Sequence, residues 1–226
     1  QIKQFSSNTY QEFMENLEKL VVKEKAKNLI LDLRGNPGGY LPQATKIINQ
    51  LIKENEKIIV FTEGRNAQRQ DYLTNGKTFF NVGKIAVLVD EYSASGSEVI
   101  AGAIQDHDRG IIIGRRTYGK GLVQEQFPLS NGGAIRLTTA RYFTPSGRSI
   151  QKEITDLASY EDEVYQRSPF EANTRDAESK KKIFHTLNLR RPVYGGGGID
   201  PEIFIAGDSI EYGHEFQFLQ SQVMPF

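Results

Sequence analysis

Three serines and one lysine are the residues whose types and spacing could do chemistry. Ser93, Ser95 and Ser97 lie between a predicted buried strand and a predicted helix. In α/β folds, ligands bind where strands end, and helix N–H groups there can bind an anion. Lys120 stands in a Gly-Lys-Gly turn, whose small neighbours let the backbone pack closely, so we expect its amine to be largely desolvated. Because desolvation favours a neutral lysine, Lys120 could act as a general base toward a serine hydroxyl.

Each of these residues also has a purely structural interpretation. Serines before a helix commonly serve as N-caps, and a lysine in a turn is commonly solvated. A Ser-His-Asp triad is not favoured, because no serine lies in a GxSxG motif. We expect the three histidines, His107, His185 and His214, to be solvent-exposed, since nothing near them in the sequence supplies the geometry of a base and its orienting group.

Two glycine-rich loops invite comparison with nucleotide-binding motifs. Gly114–Lys120 matches seven positions of a P-loop, but the eighth is Gly121 where Ser or Thr would hold Mg²⁺, and a strand is predicted to follow instead of a helix. Gly35–Gly39 follows a predicted strand but lacks the GxGxxG spacing of a dinucleotide site. Nucleotide binding is therefore not favoured.

Composition excludes several further classes. Among 226 residues, 28 Lys and Arg balance 28 Asp and Glu, and a net charge of 0 argues against a nucleic-acid partner. The absence of Cys excludes a disulfide scaffold, a Cys nucleophile and a thiolate zinc site. No run of about 18 apolar residues predicts a membrane span. The chain begins at Gln1 with no visible signal peptide, and we expect no metal or cofactor.

Hydrophobic periodicity predicts the elements that must position these residues. The predicted helices are 9–24, 42–54 and 97–106, and the predicted strands are 28–33, 57–62, 84–90, 110–114, 122–129 and 134–143. Residues 64–82 are ambiguous, with a turn at Asn75-Gly76, and 130–133 carry a hairpin signal. Strands alternating with helices predict an α/β layered domain with a mostly parallel sheet.

The last third of the chain has a different character. Residues 152–191 are charge-rich and weakly periodic, which is typical of a surface helical excursion. Gly195–Gly198 then interrupts an apolar stretch, and its simplest interpretation is a flexible linker. Too little chain follows to form another domain.

Four motifs in order resemble the C-terminal processing peptidases, also called tail-specific proteases. They are Leu29–Gly39, Ser93–Glu98, Thr117–Gln124 and Tyr142–Arg148, and the resemblance spans residues 1–151. The tail around Tyr194–Pro201 is similar to versions of the family from Bacteroidetes-type bacteria. The resemblance implies an α/β fold of the ClpP/crotonase type.

The resemblance also implies a role for each site residue. Ser95, the middle serine of its motif, is the implied nucleophile, and Lys120 is the implied general base of a Ser-Lys dyad. Gln124, four residues later, is implied to hold the lysine in place. Gly96 takes the position of a more usual Ala and keeps the N–H group after the nucleophile.

The implied oxyanion hole combines the Gly96 N–H with that of Gly39 or Gly38, and the residues alone do not choose between the two. One such donor is worth about 3 kcal/mol to the transition state. Because these donors belong to glycine clusters, the resemblance gives those clusters a function.

The resemblance further implies a partner and a location. Family members usually carry a PDZ domain that captures the substrate's C-terminus by strand addition, and no such segment is visible here. We interpret residues 1–226 as a peptidase core, with its motifs in 1–151, a charged excursion in 152–191 and a C-terminal segment, 192–226, that returns to the core. Implied substrates are proteins or peptides with accessible C-termini, cleaved in the periplasm or cell envelope, and a homo-oligomer is left open. The alternative is a latent or non-catalytic relative that binds peptides or hydrophobic ligands.

Overall fold

The computed structural model describes residues 1–154, 156, 160, 162–164, 167 and 182–207. Within them, the helices are α1 (Thr9–Glu18), which continues as a π-helical turn (Lys19–Lys23), α2 (Leu41–Leu51) and α3 (Gly96–Asp106). The strands are β1 (Leu29–Asp32), β2 (Asn55–Glu63), β3 (Gln70–Asn75), β4 (Ile85–Val89), β5 (Ile111–Gly114), β6 (Leu122–Pro128), β7 (Ala134–Phe143), β8 (Ile183–His185), β9 (Pro192–Tyr194) and β10 (Ile203–Phe204). The predicted helices and strands before residue 144 are confirmed to within a few residues.

A parallel sheet of order β1-β4-β5-β10 forms the centre of the fold. Leu31, Val87 and Ile112 lie opposite one another in register and are buried against the helices. Because side chains alternate along a strand, the other face carries Ile30, which is 68% exposed, and Ile111, which is 40% exposed. The predicted α/β domain with a parallel sheet is confirmed.

A second sheet, of order β3-β2-β7-β6, is antiparallel, so the prediction of one mostly parallel sheet is wrong for these strands. Short connections explain two of its three pairings, β2 with β3 and β6 with β7, because two strands joined by a short turn run antiparallel. The pairing of β2 with β7 joins segments that are distant in the sequence. The ambiguous segment 64–82 supplies β3, which ends at the Asn75-Gly76 turn, where Gly76 has φ +66°. The hairpin signal at 130–133 joins β6 to β7 as predicted.

Helices α2 and α3 pack between the two sheets, and this packing fixes the position of the N-terminus of α3. Ala44, Ile47, Ile48 and Leu51 form the buried stripe of α2. Every residue of α3 is buried, which its small and aliphatic residues permit. Since β4 leads directly into α3, the loop between them lies at the carboxyl end of the parallel sheet, where α/β folds place ligands.

The C-terminal part rejoins the core. Strands β8 and β9 form an antiparallel pair, and β10 adds to the parallel sheet beside β5. Much of the predicted helical excursion at 152–191 lies outside the described residues; 160 and 162–164 are helical, and 183–185 is a strand. In the described part of the chain, no helix is long and apolar enough to cross a membrane.

Candidate active site

Ser95 differs from its two neighbours in its surroundings. The Ser93 hydroxyl donates to Leu33 O at 2.9 Å and the Ser97 hydroxyl to Asn36 O at 3.0 Å, and both serines are fully buried. Ser95 is half-buried and is the N-cap residue of α3, with φ +51° and ψ −110°. A non-glycine residue with such a positive φ stores strain of order 1–3 kcal/mol and is typical of functional sites. The structural N-cap interpretation is therefore incomplete for Ser95.

The loop between β1 and α2 approaches Ser95 closely. A Cβ atom on Gly38 would lie 2.7 Å from Ser95 Cβ and 3.1 Å from Gly96 N, so only glycine permits this contact. Asn36 holds the loop, because its carbonyl accepts the Ala94 N–H at 2.9 Å and its side-chain Oδ1 accepts the Gly38 N–H at 2.8 Å. The backbone of this loop consequently lines the position beside the Ser95 hydroxyl.

The two candidate glycines of this loop differ in how their N–H groups are used. The Gly38 N–H is committed to Asn36, and Gly38 is buried. Gly39 is exposed, and its bridge to Phe5 uses the Gly38 carbonyl and the Tyr40 N–H. Among the described residues, no hydrogen-bond acceptor faces the N–H of Gly39. The Gly96 N–H belongs to the first turn of α3, where backbone donors have no partner within the helix.

Glu98 links the serine loop to the lysine turn. The serine loop is residues 90–95 between β4 and α3, and the lysine turn is residues 115–121 between β5 and β6. Its carboxylate is fully buried and accepts four hydrogen bonds. Oε2 accepts the backbone N–H groups of Ser95 and Lys120, both at 2.8 Å. Oε1 accepts the Gly119 N–H at 2.7 Å and the Thr117 hydroxyl at 2.6 Å. One side chain thus sets the backbone of Ser95 relative to that of Lys120.

The electrostatics of Glu98 follow from these contacts. Burial raises the pKa of the Glu98 carboxyl, because a charged carboxylate loses its hydration. The four donors act in the opposite direction, since they stabilise the ionised form. The sequence analysis missed Glu98, although Ser-x-x-Glu at the start of a helix is the signature of a capping box, in which Ser95 is the N-cap and Glu98 the N3 residue.

Lys120 itself is exposed, so the expectation of a largely desolvated amine is wrong for this structure. The glycines around it let its backbone, and not its amine, pack against Glu98. Gln124 on β6 is also exposed. Among the described residues, no hydrogen bond joins the Lys120 amine to the Ser95 hydroxyl or to the Gln124 side chain. The structure brings the backbones of Ser95 and Lys120 together without pairing their side chains.

The glycine run in the C-terminal segment packs against the lysine turn, and its interpretation as a linker is wrong. Gly198 is buried and donates its N–H to Ile150 O at 2.9 Å. The next N–H, of Ile199, donates to Thr117 Oγ1 at 2.7 Å, while the Thr117 N–H donates to Ile199 O at 3.1 Å. A side chain on Gly198 would collide with the Thr117 backbone. The close approach of the two backbones explains why residue 198 is glycine. The Thr117 hydroxyl also donates to Glu98, so this part of the C-terminal segment contacts the same hydrogen-bond network.

The two histidines among the described residues, His107 and His185, form no second site. His107 is buried at the end of α3, with Nε2 2.7 Å from Ile58 O, so its predicted exposure is wrong. His185 is exposed as predicted, and His214 lies outside the described residues. Within the described ranges, no group of three or more His, Asp or Glu side chains could hold a metal ion.

A cleft of about 580 Å³ is lined by two of the candidate site residues, although Ser95 and Lys120 are not among its walls. Gly39 and Gln124 line it together, and Arg136 on β7 is the charged residue among its lining side chains. The remaining walls are residues 4–6, Tyr40 and Gln126. An extended peptide lying in this cleft would pass the exposed Gly39 N–H.

Comparison with known proteins gives a consistent result. The model of peptidase family S41 matches residues 1–157. The carboxy-terminal-processing protease of Bartonella bacilliformis is 42% identical over 154 residues, which cover 66% of this chain and 35% of the relative. The chain thus spans about a third of the length of that curated relative.

Solved structures agree. The photosystem II D1 C-terminal processing protease superposes with a TM-score of 0.61 and 35% identity, covering 66% of this chain and 38% of that one. A putative S41 protease from Bacteroides fragilis covers 97% of this chain and 49% of its own, with a TM-score of 0.56 and 14% identity. At that identity, the second likeness concerns the fold alone.

Proposed function

Because the chain belongs to peptidase family S41, we propose that it is the core of a C-terminal processing serine endopeptidase that works through a Ser-Lys dyad. Ser95 is the proposed nucleophile and Lys120 the proposed general base. The observation that carries this assignment is the difference among the three serines: two hydroxyls are buried and bound to backbone carbonyls, whereas Ser95 is half-buried at a strained N-cap. A nucleophile must be reachable by the substrate, and among these three serines Ser95 alone is not fully buried.

The proposed reaction has two halves. The neutral Lys120 amine takes the proton from Ser95 Oγ, which attacks the peptide carbonyl carbon. The carbon–nitrogen bond breaks, the departing amine receives the proton from Lys120, and an ester to Ser95 remains. Water then attacks that ester, with Lys120 again accepting and returning a proton. Because a lysine becomes a better base when water is removed from it, a substrate segment covering the exposed amine favours the reactive form.

The proposed oxyanion hole consists of the N–H groups of Gly96 and Gly39. Gly38 is the weaker candidate because its N–H already donates to Asn36 Oδ1 at 2.8 Å. Donors fixed by the backbone need no reorganisation when charge develops on the substrate oxygen, which is the source of their catalytic effect. The proposed role of Gln124 is to hold the Lys120 side chain once it turns toward Ser95.

The substrate class follows from the cleft and from the relatives. The cleft that joins Gly39 to Gln124 accepts an extended polypeptide, and we propose cleavage near accessible C-termini. We interpret residues 1–226 as one peptidase core. The ClpP/crotonase-like architecture, the cell-envelope location and any homo-oligomer stay predictions.

A second candidate function is a latent or purely peptide-binding protein of the same fold. The observation favouring it is the exposed Lys120, whose amine makes no hydrogen bond to Ser95 within the described residues. In that case the cleft binds peptides and Ser95 stays unreactive.

Hydrolysis of fluorescently labelled casein by the chain and its Ser95→Ala and Lys120→Ala variants separates the two functions. Ser130→Ala, in the exposed turn of the β6–β7 hairpin, is the matched control. We expect turnover in the parent chain and the control, and its loss in the other two variants at unchanged thermal unfolding temperature.

A serine-reactive fluorophosphonate probe gives an independent readout. Labelling that disappears in Ser95→Ala supports the peptidase. Casein binding without turnover and without labelling supports the latent protein. Turnover that survives in Ser95→Ala, and instead disappears in Ser93→Ala or Ser97→Ala, overturns the choice of nucleophile.

A further inference from the structure

The lysine turn is held from two opposite sides. On one side, its N–H groups at 119 and 120 donate to the buried carboxylate of Glu98. On the other side, its carbonyl groups accept hydrogen bonds from Arg167. Arg167 Nη1 donates to Arg116 O at 3.1 Å and to Thr117 O at 2.8 Å, and Nη2 donates to Tyr118 O at 3.0 Å. An anion thus faces the amide hydrogens of the turn and a cation faces its carbonyl oxygens.

The guanidinium of Arg167 is itself fixed in place. Its side chain is 7% exposed, and Nε and Nη2 donate to the two carboxylate oxygens of Glu163 at 2.9 and 2.7 Å. A guanidinium carries five N–H donors in one plane, and here all five have acceptors. Glu163 also pairs with Arg116 at 2.6 Å and with Lys152 at 3.1 Å. Arg116 belongs to the turn, and the Lys152 N–H donates to Gly119 O at 2.9 Å, so both cations tie the carboxylate that orients Arg167 to the turn.

A buried guanidinium needs an acceptor for each of its five donors, and the Glu163 carboxylate accepts from only two of them. Water or any nearby side chain could have supplied the other three acceptors. Arg167 instead uses its remaining donors on three consecutive carbonyls of the one turn that carries Lys120. Charges of opposite sign on the two sides of the turn favour a single orientation of its peptide dipoles, because reversing a peptide would point its carbonyl at Glu98.

We propose that Arg167 is a positioning residue, which acts with Glu98 to fix the backbone from which Lys120 reaches Ser95. The inference rests on the proposed Ser-Lys function. Arg167 lies beyond residues 1–157, the part of the chain that the family model matches, so it is supplied by the C-terminal part of this chain. Its effect on the reaction is indirect, since its donors contact the turn and not the reacting atoms.

Amide hydrogen exchange and steady-state kinetics on three variants test this role. Arg167→Gln removes the guanidinium. Arg167→Lys keeps the charge but has three donors in place of five, so it cannot bond Glu163 and all three carbonyls at once. Arg191→Gln is the matched control, because Arg191 pairs with Asp108 and Glu202 at 2.8 Å and makes no contact with the lysine turn.

We expect Arg167→Gln to speed exchange at residues 116–121 and to lower kcat about tenfold to a hundredfold, with KM nearly unchanged. Arg167→Lys should recover only part of kcat, and Arg191→Gln should change neither exchange at the turn nor kcat. If Arg167 were merely structural, Arg167→Gln and Arg167→Lys would lower the unfolding temperature without slowing kcat at unchanged KM.

Unchanged exchange at 116–121 in Arg167→Gln, or faster exchange with parental kcat, overturns the inference. If Arg167→Gln does not fold, the same comparison is made with Arg167→Lys. If turnover by the parent protein does not depend on Lys120, the proposed function is overturned, and so is the catalytic role of Arg167. The exchange measurement needs no turnover, so it separates that failure from a failure of Arg167 to hold the turn.

Discussion

Replacing Glu98 by Gln tests the central link of the site, because it removes one acceptor oxygen and little else. Each Glu98 oxygen accepts two hydrogen bonds, so the amide nitrogen of Gln would face two donors. These are either the N–H groups of Ser95 and Lys120 or the Thr117 hydroxyl and the Gly119 N–H. A buried donor without an acceptor costs about 1–3 kcal/mol, which gives about 2–6 kcal/mol for two. Removing a buried charge offsets part of this cost.

The lost hydrogen bonds belong to the two backbone segments that carry the proposed nucleophile and base. If about 3 kcal/mol of this cost raises the activation free energy, kcat falls about a hundredfold. We expect this decrease in casein hydrolysis, with a smaller change in KM and an intact thermal unfolding transition.

The pH dependence of the parent protein gives Glu98 a second signature, in which stability and activity have opposite signs. Burial raises the pKa of Glu98, so the folded protein takes up the proton at higher pH than the unfolded chain. The stabilising contribution of this group is therefore complete below its unfolded pKa and is lost as pH rises through the folded pKa. The site needs the ionised acceptor, so activity should fall as pH decreases through that same pKa. Glu98→Gln should lack this acid limb.

Glu202→Gln is the matched control for this experiment. Glu202 accepts the Ile112 N–H at 2.7 Å and pairs with Arg191, and both contacts belong to the β5–β10 side of the parallel sheet. We expect lower stability but parental kcat. A folded Glu98→Gln protein with kcat within about threefold of the parent would refute the reasoning, as would an equal loss of kcat in Glu202→Gln.

Two further predictions concern stability. Arg148→Met should lower the free energy of unfolding by about 3–5 kcal/mol in urea titrations, because it leaves the fully buried carboxylate of Asp106, 2.7 Å from Arg148, without its ion-pair partner. Arg34→Met, at an exposed ion pair, should lower it by only about 0–1 kcal/mol. Equal losses in the two variants would contradict this prediction. Burial alone would raise the pKa of Glu163, but its three neighbouring cations lower it to about 2. The stability that Glu163 contributes is present above its unfolded pKa and is lost as pH falls toward about 2. Glu163→Gln should therefore flatten the acid part of a plot of unfolding free energy against pH. An unchanged plot would contradict this prediction.

The sequence was sufficient for the elements and for much of the serine loop. Periodicity located the helices and strands before residue 144, since an amphipathic stripe or a short apolar run identifies each of them. The sequence predicted that some group approaches Gly38 closely, because a glycine in a loop indicates close contact. It did not predict that the neighbour is Ser95. Of the second sheet, the sequence predicted only the β6–β7 hairpin. The pairing of β2 with β3 and β7 was missed, since alternation along a strand does not tell its partner's identity or direction.

What could not be predicted are contacts between distant segments. The capping-box position of Glu98 is visible in the sequence, but its bonds to 117, 119 and 120 depend on how β5 returns beside α3. Gly195–Gly198 had the composition of a linker, and only the fold brings it against Thr117. The same holds for Arg167, which lies in a charge-rich stretch whose composition is typical of a solvated surface.

The remaining step toward a working dyad concerns one side chain. The backbones of Ser95 and Lys120 are fixed by one carboxylate, and the proposed oxyanion donors are the N–H groups of Gly96 and Gly39. The Lys120 side chain is exposed, and ordering a free lysine costs up to about 2 kcal/mol of rotamer entropy, roughly thirtyfold in rate. Under the proposed function, a substrate segment that extends from the cleft at Gly39 and Gln124 over the Lys120 amine would remove water from that amine and restrict it at the same time. We therefore expect catalysis to depend on occupancy of the cleft, because the proposed base would be ordered only when a peptide is bound.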